Sequence, residues 1–554
     1  MRHLSPTPSP PPSPLSSRRL FVVLLALAVV VNFSGLFLTI IGADGTLYAS
    51  IARTMALRGD YVDLFANGAD WLDKPHFPFW ITALSFRAFG FSDWSYKLPA
   101  ILFLLGGAGY TYLLALRLYQ SVEIARWSVL ILLTALHVIL SNTDVRAEPY
   151  LTALIVGSIY HYQRAWTDRR FVQLLLGSLL AGCAVMTKGL VALVPIAAAI
   201  GGHLVITRNW KELFHVRWLV AAFLTFLFFT PELLALYLQF DLHPEKVVFG
   251  RSGVSGIRFF FWDSQFGRFF NTGPITGKGD PTFFFHTVLW AFLPWSLLLY
   301  VAMYRRIRPA AGREGPSEWY TVAGSLVTFL MFSLSGFQLP HYLNIVFPLF
   351  AIVTASFIHD LGGVKGLRNT QYTVIALMFV AVGLLHGFFR PGVGNLPVSA
   401  LMFLVAALIV LLPRLFRASG KEIVVGRSVL AAVLVNLYFN GFFYPKLHTY
   451  QGGTTAARFA NANFKDVPVV QLTTRHSHAL EVYLDAPSTS IPSLASLSTI
   501  QKPFLLVLHE DDGRLPFAPV GSFDDFRITM LTARFLDPST RAAQIKRYNL
   551  YLIR

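Results

Sequence analysis

Long apolar runs separated by short basic loops constrain this chain more than any other feature of its 554 residues. A run of about 20 apolar residues can cross a bilayer as a helix. With 54% hydrophobic and only 14% charged residues, a water-soluble fold would expose too much apolar surface. We therefore predict an all-α polytopic membrane protein with about 13 transmembrane helices, at residues 20–41, 97–116, 127–141, 149–163, 171–187, 189–207, 218–239, 284–303, 319–337, 342–359, 371–389, 397–413 and 428–444.

Basic residues set the predicted orientation, because cytoplasmic loops carry an excess of lysine and arginine. Arg18 and Arg19 precede the first span and place the N-terminus in the cytoplasm. Every second loop further along the chain is also basic, as in Arg305, Arg306 and Arg308. The formal net charge of +17 therefore reflects membrane orientation, and nucleic acid is not expected as a partner.

Hydropathy divides the chain into three parts. The segment 1–19 is rich in proline and serine, which predicts a disordered cytoplasmic N-terminus. The transmembrane domain covers residues 20–444, with outer loops at 42–96 and 240–283. In residues 445–554 the hydropathy falls, and PVVQLTT, EVYLD and PFLLVLHE have the pattern of strands. These residues predict a small extracytoplasmic α/β domain.

The first outer loop holds two candidates for a chemical role. Asp44 follows the first span directly, so its carboxylate serves either as a general base or as the cap of a helix over residues 46–57. Asp73 and Lys74 come later in the same loop. A lysine there can neutralise a phosphate as a compact point charge or contact anionic lipid headgroups.

Further charged residues lie at the outer ends of predicted spans, where they must face protein or water. Arg146 and Glu148 precede the fourth span, and Lys188 separates the fifth from the sixth. Arg258 stands among aromatic residues of the second outer loop, where it can bind phosphate or lie at the headgroups. The sequence has no nucleotide-binding or nucleophile-elbow motif. An outer transferase must then take its activated group from a lipid carrier.

Several short motifs occur in a particular order, namely DGTLY at 44–48, RGDY at 58–61, DKP at 73–75, Trp80, EPYL at 148–151, TKG at 187–189, LPWS at 293–296 and QLPHY at 338–342. This order resembles the GT-C glycosyltransferases, typified by the lipid A aminoarabinose transferase and the protein O-mannosyltransferases. The resemblance implies a GT-C fold and sugar transfer from a polyprenyl-phosphate donor to a lipid (lipid A or lipopolysaccharide-like) or protein acceptor. The reaction would take place on the outer face of the plasma (cell inner) membrane.

The resemblance also suggests roles for individual residues. Asp44 matches the candidate catalytic carboxylate, Asp73 stands in place of a usual Glu, and Glu148 in place of a usual Asp. The expected ligands of the donor phosphate are Lys74, Lys188, Arg258 and Arg146. No cofactor is certain, although a carboxylate pair with phosphate can hold a divalent cation. The expected partners are the polyprenyl-phosphate-sugar donor, the acceptor and membrane lipids.

Two departures from the family pattern disfavour aminoarabinose as the donor sugar. Leu47 stands where the aminoarabinose transferases carry an Arg, and Gln338 where a Lys is common. Two other functions are kept as alternatives. A lipid-linked-sugar flippase or other transporter would place its charges near the middle of spans, and a membrane scaffold would leave the order of motifs unexplained.

Overall fold

The computed structural model of the chain describes residues 14–308, 318–392, 396–513 and 515–554. Most of the predicted disordered N-terminus, residues 1–13, lies outside these ranges. The helices before the C-terminal domain are α1 Pro14–Phe33, α2 Gly42–Arg58, α3 Phe77–Phe89, α4 Asp93–Tyr119, α5 Val122–Thr134, α6 Leu136–Thr143, α7 Glu148–Thr167, α8 Phe171–Lys188, α9 Leu193–Ile206, α10 Trp210–Leu213, α11 Arg217–Leu236, α12 Gly256–Arg258, α13 Phe283–Ala291, α14 Ser296–Ile307, α15 Tyr320–Ser333, α16 Phe347–Asp360, α17 Lys365–Phe389, α18 Leu396–Leu415 and α19 Gly420–Tyr438.

The predicted class, a helical membrane protein, is confirmed. Within the described ranges, seven helical stretches are long and apolar enough to cross a bilayer. Helices α5 and α6 would add an eighth span, and they meet at a bend of 50°. Each predicted span overlaps a helix, but some are broken, as where α13 ends before Pro294 and α14 begins after it. The number of spans therefore stays a prediction.

The predicted first span, 20–41, is wrong at its C-terminal end. Helix α1 begins at Pro14 and ends at Phe33, and the chain then turns. Backbone carbonyls after Phe33 no longer accept helical hydrogen bonds, and a buried lysine replaces two of these bonds. Lys97 Nζ on α4 donates to the carbonyl of Leu38 and, at 3.0 Å, to that of Gly35. Satisfying freed carbonyls in this way makes a non-helical segment tolerable inside a packed helical protein.

The first loop, residues 42–92, is folded rather than extended. Helix α2 fulfils the predicted helix and ends at Gly59, which has a φ of 67°. A short hairpin follows, with strands β1 Phe65–Ala66 and β2 Ala69–Asp70 joined through Asn67 and Gly68. Both turn residues have positive φ, as an Asn-Gly hairpin turn requires. Helix α3 then returns the chain to the helical domain.

The second loop, residues 240–282, contains a small hairpin of strands β3 Val247–Val248 and β4 Arg251–Ser252. After α12 it continues as a π-helical stretch over Phe259–Gly267. Such wide turns occur often at functional sites, since they displace the following residues from α-helical positions. The residue that follows this stretch is Arg268.

The C-terminal domain is built on a five-stranded mixed sheet in the order β6-β5-β7-β9-β8. Its strands are β5 Val469–Leu472, β6 Ser488–Ile491, β7 Phe504–His509, β8 Gly521–Asp525 and β9 Lys546–Ile553, and its helices are α20 Tyr444–His448, α21 Gly452–Asn463, α22 His478–Tyr483, α23 Ala533–Leu536 and α24 Pro538–Arg541. Strands β5 and β7 confirm two of the predicted strands. The third prediction, EVYLD, is wrong because Ser477 Oγ accepts the Leu480 N–H and caps helix α22 there.

Arg53 is one of the side chains that join the first loop to the C-terminal domain. Arg53 on α2 donates to the carbonyls of Glu481, Val482 and Leu484 at 3.4, 3.0 and 2.8 Å. These carbonyls end helix α22 and lack partners within it, so a cation is favourable there. The helix that bears Asp44 is thereby held by residues more than 400 positions away in sequence.

Candidate active site

Charged side chains from distant parts of the chain converge at the ends of α7 and α8. They come from the first loop, the α6–α7 connection, the two helix ends themselves and the second loop. They form what we call the charged cluster: Asp44, Asp73, Lys74, Asp144, Arg146, Glu148, Lys188 and Arg268. The four acidic and four basic side chains give the cluster a formal net charge of zero. The cluster includes every predicted site residue except Arg258.

Asp44 lies in the first turn of α2 and does not cap the helix, because Ile41 occupies that position. Its Oδ2 accepts from Arg146 Nη1 at 2.7 Å, while Arg146 Nη2 contacts Asp144 at 2.9 Å. The Asp44 side chain is 47% exposed, whereas those of Asp144 and Arg146 are about 20% exposed. Burial raises the pKa of Asp144 despite Arg146. Asp44 is thus a fixed, accessible carboxylate at the edge of the cluster.

Asp73 holds two cations together. It pairs with Arg268, and its Oδ2 lies 3.3 Å from Lys74 Nζ. Burial raises the pKa of Asp73, but Lys74 and Arg268 outweigh this effect and hold its pKa below the ordinary value. Burial also lowers the pKa of Lys74 to about 8, with contributions from Arg268 and Lys188 against the opposing effect of Asp73. Lys74 is therefore a crowded cation that a further anion would stabilise.

Glu148 and Lys188 form the inner part of the cluster. Glu148 opens α7, Lys188 closes α8, and the two side chains pair directly. His341 Nε2 lies 3.8 Å from Glu148 Oε1, and Lys188 Nζ lies 3.8 Å from the centre of the Tyr342 ring. The side chain of Lys188 is only 11% exposed, so it faces protein, as a cation at a helix end requires.

Close packing at the end of α8 explains how Arg268 reaches the cluster. Helix α8 stops because Gly189 has a φ of 83°, and an added Cβ there would lie 2.2 Å from Gln265 Nε2. The Gln265 amide oxygen accepts the Val191 N–H at 3.1 Å. Gln265 belongs to the π-helical stretch, so this contact fixes the second loop against α8. Arg268 follows three residues later and meets Asp73.

The structure does not bring Arg258 into the charged cluster. Its side chain is 76% exposed, and its Nε lies 4.0 Å from Asp263 of the same loop. Arg258 ends α12 before the π-helical stretch, whereas Arg268 follows that stretch. We therefore replace Arg258 by Arg268 in the candidate site. Both arginines stand in the same Phe-rich sequence, and their distances to the cluster could not be derived without the fold.

The sequence analysis did not identify one buried pair, which is formed by His76 and Glu232. His76 Nδ1 lies 3.0 Å from Glu232 Oε1, and the His76 N–H donates to Glu232 Oε2 at 2.9 Å. The other ring nitrogen contacts the Val62 carbonyl at 2.8 Å. Both side chains are fully buried. The available signal was an acidic residue in the apolar run 218–239.

Replacing Glu232 with Ala should destabilise the protein strongly. The change leaves His76 and its N–H buried without their acceptor, a loss that typically costs about 3–5 kcal/mol. We expect a clear drop in Tm of the detergent-solubilised protein. Glu245→Ala is the control, since Glu245 pairs with His243 through side chains that are 69% and 49% exposed, and its Tm should not change. Equal melting of both variants would contradict a structural role for Glu232.

A narrow pocket lies against the charged cluster. Its polar lining includes Lys74, Arg146 and Tyr48, and its apolar lining includes Phe79 and Val145. Burial raises the pKa of the Tyr48 phenol, with further increases from Asp73 and Asp44, so this group stays protonated. The pocket therefore offers cations, a hydroxyl donor and an apolar wall side by side. This combination suits the junction between a phosphate and an apolar chain.

The chain is similar to several known proteins. A family model described as dolichyl-phosphate-mannose-protein mannosyltransferase matches residues 73–234, which include most of the cluster. An uncharacterised protein of Aquifex aeolicus is 26% identical over 435 residues, covering 73% of this chain and 81% of that protein. The undecaprenyl phosphate-alpha-4-amino-4-deoxy-L-arabinose arabinosyl transferase of Erwinia tasmaniensis is 26% identical over 346 residues. That alignment covers 62% of this chain and 59% of the transferase.

The fold has a counterpart among solved structures. The crystal structure of ArnT from Cupriavidus metallidurans bound to undecaprenyl phosphate matches with a TM-score of 0.69 at 20% identity. The match covers 88% of this chain and 93% of ArnT. The predicted GT-C fold is therefore confirmed. In both sequence and fold, the chain is similar to the ArnT-like proteins of the GT-C superfamily.

Proposed function

We propose that this protein is an integral-membrane glycosyltransferase that uses a polyprenyl-phosphate-linked sugar. The acceptor is a lipid, of the lipid A or lipopolysaccharide type, or a protein. One observation carries the proposal: Lys74, Lys188 and Arg268 converge, and the buried Arg268 Nε has no hydrogen-bond partner within the described ranges. A buried donor between cations favours an anion with several oxygens, such as phosphate. The names of the arabinosyl transferase relatives support the same donor class.

In the proposed reaction, Asp44 accepts the proton of an acceptor hydroxyl, whose oxygen attacks the anomeric carbon of the sugar. The bond from that carbon to the phosphate oxygen breaks, and polyprenyl phosphate leaves with the electron pair. Lys74 and Arg268 stabilise the charge that develops on the phosphate. One direct displacement of this kind inverts the anomeric centre. Asp73 serves as a positioning residue, because it holds both cations.

The carboxylates of the cluster do not fit a divalent cation well. Asp44 pairs with Arg146, Asp73 with Arg268 and Lys74, and Glu148 with Lys188. Each carboxylate already faces a cation of the chain, which would repel a metal ion. We therefore assign neutralisation of the phosphate to the lysine and arginine side chains, and the divalent cation considered from the sequence has no step in this mechanism.

The activity can be tested with purified protein in detergent, given a polyprenyl-phosphate sugar and candidate acceptors. We expect an acceptor product heavier by one sugar residue and an equal amount of free polyprenyl phosphate, both measured by mass spectrometry. A flippase moves its substrate only across a bilayer, so it would give no product in detergent. Glycolipid and glycoprotein profiles of cells with and without the protein would identify the acceptor. Unchanged profiles together with no product in detergent would contradict the proposal.

The transfer rate should depend on pH through Lys74. Its pKa of about 8 means that the cation is lost as pH rises through this value. We expect kcat/KM, which reports groups of the free enzyme, to fall above about pH 8. In Lys74→Arg the cation persists, because the guanidinium pKa is above about 12, so this fall should disappear. An identical alkaline limb in both proteins would assign it to another group.

We also propose that the protein lies in the plasma (cell inner) membrane with its C-terminal domain and both large loops outside. The basic loops support this orientation. The single cysteine allows a direct test. On a Cys183→Ser background, a membrane-impermeant maleimide should label Lys465→Cys and Gly250→Cys in intact cells, and should not label Arg308→Cys until the membrane is opened. All three positions are exposed. Labelling of Arg308→Cys in intact cells would invert the proposed topology.

A further inference from the structure

A second group of polar side chains lies in the C-terminal domain, outside the charged cluster. His476, His478 and Glu481 come from the segment between β5 and the middle of α22. One ligand-type atom from each lies within 4.8 Å of the others. Both histidines face the same carboxylate oxygen, with His476 Nε2 at 3.0 Å and His478 Nδ1 at 3.4 Å from Glu481 Oε2. We call these three residues the His-His-Glu group.

Hydrogen bonds behind His476 set its tautomer. Ser490 Oγ donates to Asn67 Oδ1 at 2.6 Å, so this hydroxyl has no proton left for the ring. His476 Nδ1, at 3.0 Å from the same hydroxyl, must then carry the proton and donate it. In the neutral ring, Nε2 is consequently a bare lone pair pointing at a carboxylate. Two electron-rich atoms at this distance require a positive charge between them.

A metal ion supplies that charge better than protons do. Protonation of both rings would place two imidazolium cations beside one carboxylate, with their ring centroids only 4.7 Å apart. A single divalent ion uses neutral rings and one carboxylate.

We infer that the His-His-Glu group binds a divalent transition metal, with Zn²⁺ as the best match. Two imidazole nitrogens and one carboxylate oxygen are a common zinc donor set, which leaves a fourth position for water. Ser490 orients one ligand from behind, as outer-shell partners of metal-bound histidines do. The site would join the start of α22 to Asn67 in the hairpin of the first loop. It is independent of the proposed sugar transfer.

The test uses the full chain in detergent, without a polyhistidine tag, after treatment with a chelator. We expect equilibrium dialysis with Zn²⁺ to give about one ion per chain, and Co²⁺ to give the visible absorption of a tetrahedral site. His478→Ala and Glu481→Gln should lose this ion. Ser490→Ala should weaken binding by about 10–100-fold. His243→Ala is the matched control, because His243 pairs with one glutamate at an exposed position, and it should bind as the parent does.

A second readout locates the ion. Zn²⁺ should slow hydrogen exchange at the amides of residues 476–484 in the parent and leave His478→Ala unaffected. No zinc binding by the parent would overturn the inference and identify the group as an ion pair. Equal binding by His478→Ala and the parent would overturn it too. Since neither readout involves sugar transfer, these outcomes are separate from failure of the proposed function.

Discussion

Lys74→Met should slow sugar transfer by about a hundredfold or more. Methionine keeps most of the apolar stem but removes the cation that faces the leaving phosphate. Loss of one preorganised electrostatic contact of this kind typically raises the barrier by about 2.7–4 kcal/mol. Asp73 retains its pairing with Arg268 in this variant, so the site should keep its shape. The measurement is single-turnover transfer from a polyprenyl-phosphate sugar, together with binding of polyprenyl phosphate alone.

The controls for this variant separate a phosphate ligand from a headgroup contact. Lys465→Met removes an exposed lysine of the C-terminal domain and should leave both rate and binding unchanged. Lys74→Arg should keep partial activity, because charge remains but a planar fork replaces a point charge. If Lys74→Met transfers sugar at the parental rate, the phosphate site is wrongly placed, and Lys188 with Arg268 would be tested next.

Asp44→Asn should slow transfer strongly while leaving donor binding nearly intact. In the parent protein, Arg146 Nη1 lies 2.7 Å from Asp44 Oδ2. The amide oxygen of the asparagine can still accept this hydrogen bond, but the amide cannot serve as a base. General-base catalysis contributes about 10²–10⁴-fold, so the loss should be of that order. The structure removes one competing explanation, since Ile41 rather than Asp44 caps α2.

Asp466→Asn is the matched control for this charge loss. Asp466 is exposed and has a φ of 65°, a conformation that asparagine adopts readily. It should fold and transfer sugar as the parent does. A rate for Asp44→Asn of a tenth or more of the parental value would leave Asp44 as a partner of Arg146 with no base function.

The sequence was enough to predict the helical membrane class and most members of the charged cluster. A long apolar run is strong evidence for a membrane-spanning helix. Charged residues at the ends of such runs are energetically costly unless they pair with another group or face water. Asp44, Lys74 and Lys188 could be named for this reason. Short motifs in a fixed order then pointed to the GT-C fold, which the structural similarity to ArnT confirms.

Other features depend on contacts that no local pattern reveals. Arg268 and Arg258 have similar sequence surroundings, and only the packing of Gln265 at Gly189 selects the first of them. The end of α1 at Phe33 depends on Lys97, which lies on another helix. EVYLD alternates like a strand, but the cap from Ser477 decides for a helix. In each case a long-range or capping interaction outweighs the local apolar pattern.

The link from Arg53 to α22 has a consequence for biosynthesis. During translation, α2 is complete long before residues 481–484 exist, since their separation from Arg53 is about 430 positions. Domains form from the N-terminus onward as the chain emerges, so the guanidinium must wait for its three carbonyl acceptors. The first loop is therefore synthesised early, but it can adopt its final conformation only after the C-terminal domain has been synthesised. A polypeptide truncated before the C-terminal sheet would retain every residue of the charged cluster. It would still lack the carbonyl groups to which Arg53 donates, and with them the contacts that hold the helix of Asp44.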